Sequence, residues 1–217
     1  MIRYLSWILF AALPLFANID TFFSKVPLRN NSWNGFNEVQ MVELVRDVPM
    51  LVELIDEMTA RGFRYGGDTG STSKAYTNVG RRRICIGKNT TAEEACLSLM
   101  YELTNAKNGE KLQAIHDEYL HDPHPTYARG VDYASAILLI EADAIYHRCL
   151  LAVELNLVSL LKNPAYLRIV QEASDRASAI DWIHAEMLTR GKVHGGLKGA
   201  LDHYIDLYFY ECNNAVD

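Results

Sequence analysis

The segment from Tyr133 to Leu161 constrains the fold more than any other part of this chain. Placed on a helix it is apolar on nearly every side, interrupted by Glu141, Asp143, His147, Arg148 and Glu154. A helix without a continuous polar face has to be surrounded by other elements. The interruptions argue against a membrane span, which needs about 20 consecutive, predominantly apolar residues. The 217 residues, 49% hydrophobic and 22% charged, hold enough apolar material for one domain with a real core and too little for two large ones.

Around that segment the pattern is mostly helical. Val42, Val45, Leu51, Leu54, Ile55 and Met58 fall largely at helical spacing between Glu38 and Ala60, with Pro49 marking a kink or break and Gly62 an end. Asn18 to Asn37, with Pro27 and several asparagines, reads as irregular. From Arg61 to Lys88 the period changes to two. Phe63-Arg64-Tyr65, Ala75 to Val79 and Arg83 to Ile86 alternate between glycine-bearing turns and predict a small antiparallel meander. Thr90 or Thr91 caps a helix that Lys107-Asn108-Gly109 closes, and Glu93 and Glu94 suit its first turn. A shorter helix over Glu110 to Leu120, a long one over Asp132 to Leu161, and two more over Pro164 to Arg190 and Gly199 to Cys212 complete the chain, the last two separated by a turn region, Gly191 to Gly199. The expected architecture is a mainly helical α+β domain over residues 18–217, with a small antiparallel sheet and five to six helices.

Residues 1–17 have the make-up of a secretory signal peptide. Arg3 supplies the positive end, Leu5 to Phe16 the short apolar stretch, and Ala17 the small residue for cleavage. The expectation is an exported protein, periplasmic or secreted, with no stable membrane span once that segment is removed. Cys85, Cys96, Cys149 and Cys212 allow three pairings in an oxidising compartment, although Cys96 and Cys149 sit in apolar helical runs that suit buried free thiols. Formal net charge is -6, which argues against a nucleic-acid partner. Arg81-Arg82-Arg83 is the one dense basic run, and it reads as a solvated strand edge after Gly80.

The helix from Thr90 to Asn108, TTAEEACLSLMYELTNAKN, carries the residues closest to a chemical motif. Tyr101-Glu102-Leu103-Thr104-Asn105 occupies the frame of H-E-x-x-H, in which two histidines one turn apart bind zinc and the glutamate attends the bound water. At about 100° per residue, Cys96, Leu99, Met100, Leu103 and Ala106 gather on one side, Tyr101 and Asn105 fall roughly opposite, and Glu102 lies at the flank. Glu141 stands in the apolar setting of the long helix, where an ionised carboxylate is costly unless it is paired or ligated.

Strand Ile84-Cys85-Ile86, a short loop and the helix bearing Glu102 together resemble the core of the zincin metallopeptidases, over about Arg83 to Arg148. The resemblance is to a degenerate, gluzincin-like member with YELTN in place of HExxH. It implies a zincin-like core pairing the two helices across a cleft, with Glu102 at the general-base position and Glu141 at that of the third ligand. Tyr101 and Asn105 stand where histidines belong, Tyr101 being able to donate a hydrogen bond to an oxyanion. A phenol is mostly protonated at neutral pH and an amide oxygen is a weak zinc donor. Ordinary zinc hydrolysis is therefore not expected. Nor is a cofactor, zinc being the one metal the resemblance brings.

The other candidates have plainer readings. Asp143 and His147 share a helix face as a local ion pair, and Glu141 and Arg148 share one seven residues apart. His116, His121 and His124 lie close in sequence, but prolines flanking His124 suggest a rigid turn. The Gly66 to Lys74 loop lacks phosphate-loop spacing and reads as a mobile hairpin tip, able to serve as a lid or a partner-binding loop. No G-x-S-x-G is present. The rival function is a non-catalytic secreted interaction module that binds a protein or peptide through the same cleft or loop. A third, purely structural reading makes Glu102–Asn105 and Glu141–Arg148 buried pairs that fix helix register.

Overall fold

A computed structural model describes residues 18–28, 37–68, 75–87, 91–121, 123–161, 163–190, 192–193 and 198–214. The expected signal segment 1–17, residues 69–74 of the glycine-rich loop, Thr90 and most of the 191–199 turn region lie outside them. The chain divides into two compact units between Lys107 and Asn108.

The first unit begins with a helix, α1, over residues 18–23, where an irregular segment was expected. Ile19, Phe22 and Phe23 are buried, and their i, i+3, i+4 spacing supplies the apolar face that a short helix needs. Next come α2 (Glu38–Arg46) and α3 (Pro49–Ala60), broken where Pro49 takes the first helical position, which its missing N–H and fixed φ favour. Asn37 caps α2, its side chain accepting from Gln40 N at 3.1 Å. At the end of α3 Gly62 adopts φ 88°, and Phe63 N reaches back to Met58 O at 2.9 Å. This is the left-handed helix ending that glycine favours.

Three strands follow: β1 (Arg64–Asp68), β2 (Ala75–Asn78) and β3 (Arg83–Ile86). Their order is β1-β3-β2, with β1 parallel and β2 antiparallel to β3. The expected antiparallel meander is therefore a mixed sheet. Composition explains the exchange of places, because Ile84, Cys85 and Ile86 are all buried, as a central strand requires, whereas Tyr76 is exposed and suits an edge. The six residues 69–74 could extend about 20 Å, twice the roughly 10 Å needed to skip one strand position. Gly66 and Gly67, expected in the hairpin tip, belong to β1, which bulges between Tyr65 and Gly67. Tyr65, Ile84 and Thr77 share one face of the sheet by register, and α4 (Ala92–Lys107) packs against β2 and β3. Thr91 is the cap of α4, its Oγ1 accepting from Glu94 N at 3.2 Å.

The second unit is built around the long apolar segment, now α6 (Tyr127–Glu154), which packs against α5 (Gly109–Tyr119), α7 (Pro164–Glu172), α8 (Arg176–Arg190) and α9 (Ala200–Asn214). The middle of α6 buries Leu138 and Ala142 with Ile183 and Met187; its first half buries Tyr133 and Ile137 with Tyr208 and Cys212. A Cβ at Gly130 would stand 3.0 Å from Tyr208 Cδ1, so the missing side chain lets α9 approach. A 3-10 turn (Val158–Leu160) follows α6, and a two-residue strand pair, β4 (Lys192–Val193) with β5 (Lys198–Gly199), lies where a turn was expected.

Among the described residues there are nine α-helices, not five to six. The difference is mainly α1 and two breaks. One falls at Pro49 and the other before α8, where Asp175 Oδ1 caps by accepting from Ser178 N at 2.9 Å. The mainly helical α+β class holds. No helix of the described residues is long and apolar enough to cross a membrane.

Candidate functional site

In the first unit, α4 is buried on nearly every side. Small residues at Ala92, Ala95, Ser98 and Ala106 let neighbouring elements approach, while Cys96, Leu97, Leu99, Met100 and Leu103 fill the core. Tyr101 and Asn105 are half-buried, so they do share the less covered side. Thr104 turns its hydroxyl to Met100 O one turn back, at 2.9 Å.

Glu102 is 7% exposed. Thr77 on β2 reaches it from the sheet, its Oγ1 lying 2.8 Å from Glu102 Oε2 and 2.9 Å from the Glu102 carbonyl oxygen. A hydroxyl has a single proton, so it donates to one of these acceptors at a time. Donated to Oε2, it engages the carboxylate inside the fold from a strand side chain; donated to the carbonyl, it ties the α4 backbone to the sheet instead. A general base needs an oxygen or nitrogen within about 2.6–3.2 Å of the substrate atom that gives up the proton. The hydrogen bonds seen at Glu102 come from Thr77 and not from Asn105, whose Oδ1 is buried without a hydrogen bond.

Glu141 belongs to the second unit. It is half-buried on α6 and accepts a hydrogen bond from the Tyr204 hydroxyl of α9. Arg148 Nε is buried with no hydrogen-bond partner, and the contact seen at the Glu141 carboxylate is with the Tyr204 phenol. Tyr166 lies close by. Burial pushes its phenol up, a hydrogen bond with Asn163 pulls part of the way back, and the Glu186 and Glu141 charges add smaller pushes upward.

Asp143 gathers three partners in this unit. Asn108 Nδ2 donates to it at 3.1 Å and Arg176 Nη2 at 2.8 Å, with His147 Nε2 at 3.5 Å. The expected one-turn pair with His147 is present, joined by two partners that sequence spacing does not reveal. Burial by itself would raise the Asp143 carboxyl, but hydrogen bonds from Arg176 and Asn108, with the Arg176 and His147 charges, hold it below its ordinary value.

One serine–histidine contact was not anticipated. His184 Nε2 lies 2.9 Å from the Ser135 carbonyl oxygen and 3.3 Å from Ser135 Oγ. A carbonyl only accepts, so the nearer contact places a proton on Nε2. A nitrogen carrying that proton cannot take one from Ser135, which leaves the pair structural. His121 Nδ1 lies 3.3 Å from Asp117 O. Among the described residues, no three or more His, Cys, Asp or Glu side chains are grouped to hold a metal ion.

Thr77 and Tyr204, which engage Glu102 and Glu141, were missed as site residues. Thr77 had a signal: it occupies an inward-facing position of an alternating strand, where a polar side chain must find a partner. Tyr204 had none beyond its place on an amphipathic helix. Compared with family models, curated proteins and solved structures, the chain matches none.

Proposed function

We propose that the chain is an exported, non-catalytic interaction module that binds a protein or peptide. The observation that carries this reading is the engagement of Glu102, 7% exposed and hydrogen-bonded by Thr77. The one residue that kept its place in the metallopeptidase frame is used to join a helix to a sheet. Exposed aromatic side chains supply the contact area such a module needs. Tyr127 and Tyr210 are each 65% exposed and Trp182 is 48% exposed, and both residue types are enriched where proteins bind one another.

Glu102→Gln, Glu141→Gln and Thr77→Val, studied in residues 18–217, test the reading. Loss of a hydrogen bond to a buried charged group costs about 1–3 kcal/mol. The expected result is a lower melting temperature for each variant with peptide binding unchanged. Stoichiometric zinc uptake that Glu141→Ala abolishes, or hydrolysis of a peptide substrate that Glu102→Gln removes, would restore the metallopeptidase-like reading in its place.

A further inference from the structure

The face of the three-stranded sheet turned away from α4 bears Gly66 of β1, Arg83 and Cys85 of β3, and Tyr76 and Asn78 of β2. Tyr76 and Val79 are 40% and 43% exposed, and Arg81, Arg82 and Arg83 are all exposed beside them. The turn that presents them is well specified. Asn78 Oδ1 accepts from Arg81 N at 2.8 Å, and Arg82 N reaches Val79 O at 3.1 Å.

Five arginines converge on this end of the sheet. Arg64 faces Arg83 in the strand register, and Arg82 Nη1 lies 3.1 Å from Arg61 O. Three of them serve the fold. Arg82 supports the end of α3, Arg61 donates to Lys107 O at the end of α4, and Arg64 donates to Thr59 O and Phe63 O. Arg81 and Arg83 do neither: among the described residues their guanidinium groups make no hydrogen bond and no ion pair. The neighbouring acid, Glu57, is taken by Lys107 at 2.7 Å. Arg83 opens β3 and lies at the end of the strand away from Ile86.

We propose that this arginine end of the sheet is a docking surface for an acidic segment of a partner protein, whose carboxylates pair with Arg81 and Arg83 while Tyr76 and Val79 cover its apolar side chains. The occupant follows from charge and shape. A free pair of guanidinium forks suits carboxylates, and the exposed tyrosine and valine give an apolar contact that a bare polyanion would not use. A long polyanion would also meet the rest of a chain with net charge -6. A short acidic segment acts within a Debye length of about 8 Å and is spared that repulsion. The proposal rests on the interaction-module reading and gives it a place and a partner chemistry.

The test uses the full chain and fluorescein-labelled peptides of alternating Glu and Val or Gln and Val, with binding followed by fluorescence anisotropy. The Glu-Val peptide is expected to bind, more weakly as salt rises from about 0.05 to about 0.5 M, and the Gln-Val peptide to fail. Arg81→Glu with Arg83→Glu should weaken binding roughly tenfold or more. Arg81→Gln with Arg83→Gln should weaken it less, and circular dichroism should be unchanged in both variants because neither guanidinium group makes a hydrogen bond or ion pair among the described residues. Equal binding by the charge-reversed variant overturns the proposal. So does tighter binding of phosphatidylserine vesicles or single-stranded RNA through the same arginines, or self-association that the variants abolish. Panning the full chain against a random displayed peptide library separates the two readings. Enriched peptides that are not acidic and that ignore both variants would remove this surface but keep the module, whereas no enrichment would remove both.

Discussion

A methyl group added at Gly66 would stand 2.6 Å from Cys85 Sγ, closer than packed atoms tolerate, so the strand crosses the thiol only because the side chain is absent. Gly66→Ala is expected to lower stability by about 1–3 kcal/mol, as overpacked sites do. Cys85→Ala in the same chain should return part of that loss, and a double-mutant cycle by denaturant unfolding reads the coupling. Asp143 sets a different limit. Its carboxyl is held below the ordinary value, so its contribution is present above the unfolded-state pKa and is lost as pH falls through the folded-state one. Asp143→Asn should therefore destabilise the protein at neutral pH by about 1–3 kcal/mol and flatten the acid limb of its stability curve. Acid limbs of equal steepness in the two proteins would show that the carboxylate does not act this way. At this scale the sequence was a partial guide. Helical geometry alone placed Tyr101 and Asn105 on a shared side and Asp143 beside His147, because such neighbours are fixed by local chain geometry. Thr77 and Tyr204 lie 25 and 63 residues from the carboxylates they meet, and no local rule reaches that far.

Among the elements, α4 is the one whose start, face and end were all legible. Its cap is tested by Thr91→Ala, expected to cost about 0.5–2 kcal/mol in thermal unfolding. Breaks in helices were harder to place. Pro49 announced one through its own geometry, whereas the gap before α8 depends on Asp175 and Ser178, a cap that resembles ordinary helix surface until it is seen bonded. The sheet was legible in its strands and not in their order, since periodicity reports which side chains turn inward and says nothing about neighbours. The long helix kept its identity with shifted ends, Tyr127–Glu154, because a run of apolar residues that length leaves little choice.

On the scale of the molecule, each unit carries two buried cysteines that form no disulfide: Cys85 and Cys96 in the first, Cys149 and Cys212 in the second. Burial, with a smaller push from Glu93, drives Cys96 up to about 12, and burial drives Cys149 up to about 11. Thiols so placed are inert until the structure around them opens. A thiol reagent at neutral pH should label none of the four in the native protein. Mass spectrometry of the labelled peptides in rising denaturant should then report the opening of each unit separately. Rapid labelling of Cys96 or Cys149 without denaturant would contradict the buried placement.

The position of β3 between β1 and β2 also sets an order of assembly. β2 and β3 are joined by the short turn Val79–Arg82 and can zip together within microseconds, as hairpins do. β1 pairs in parallel with β3 only after the chain has travelled out through β2 and back, so its contact closes a longer loop. Pulsed hydrogen exchange during refolding should find the β2 and β3 amides protected before those of β1. The consequence reaches the newly made chain: when β1 leaves the ribosome, its partner strand has not yet emerged behind it, and its open edge must wait.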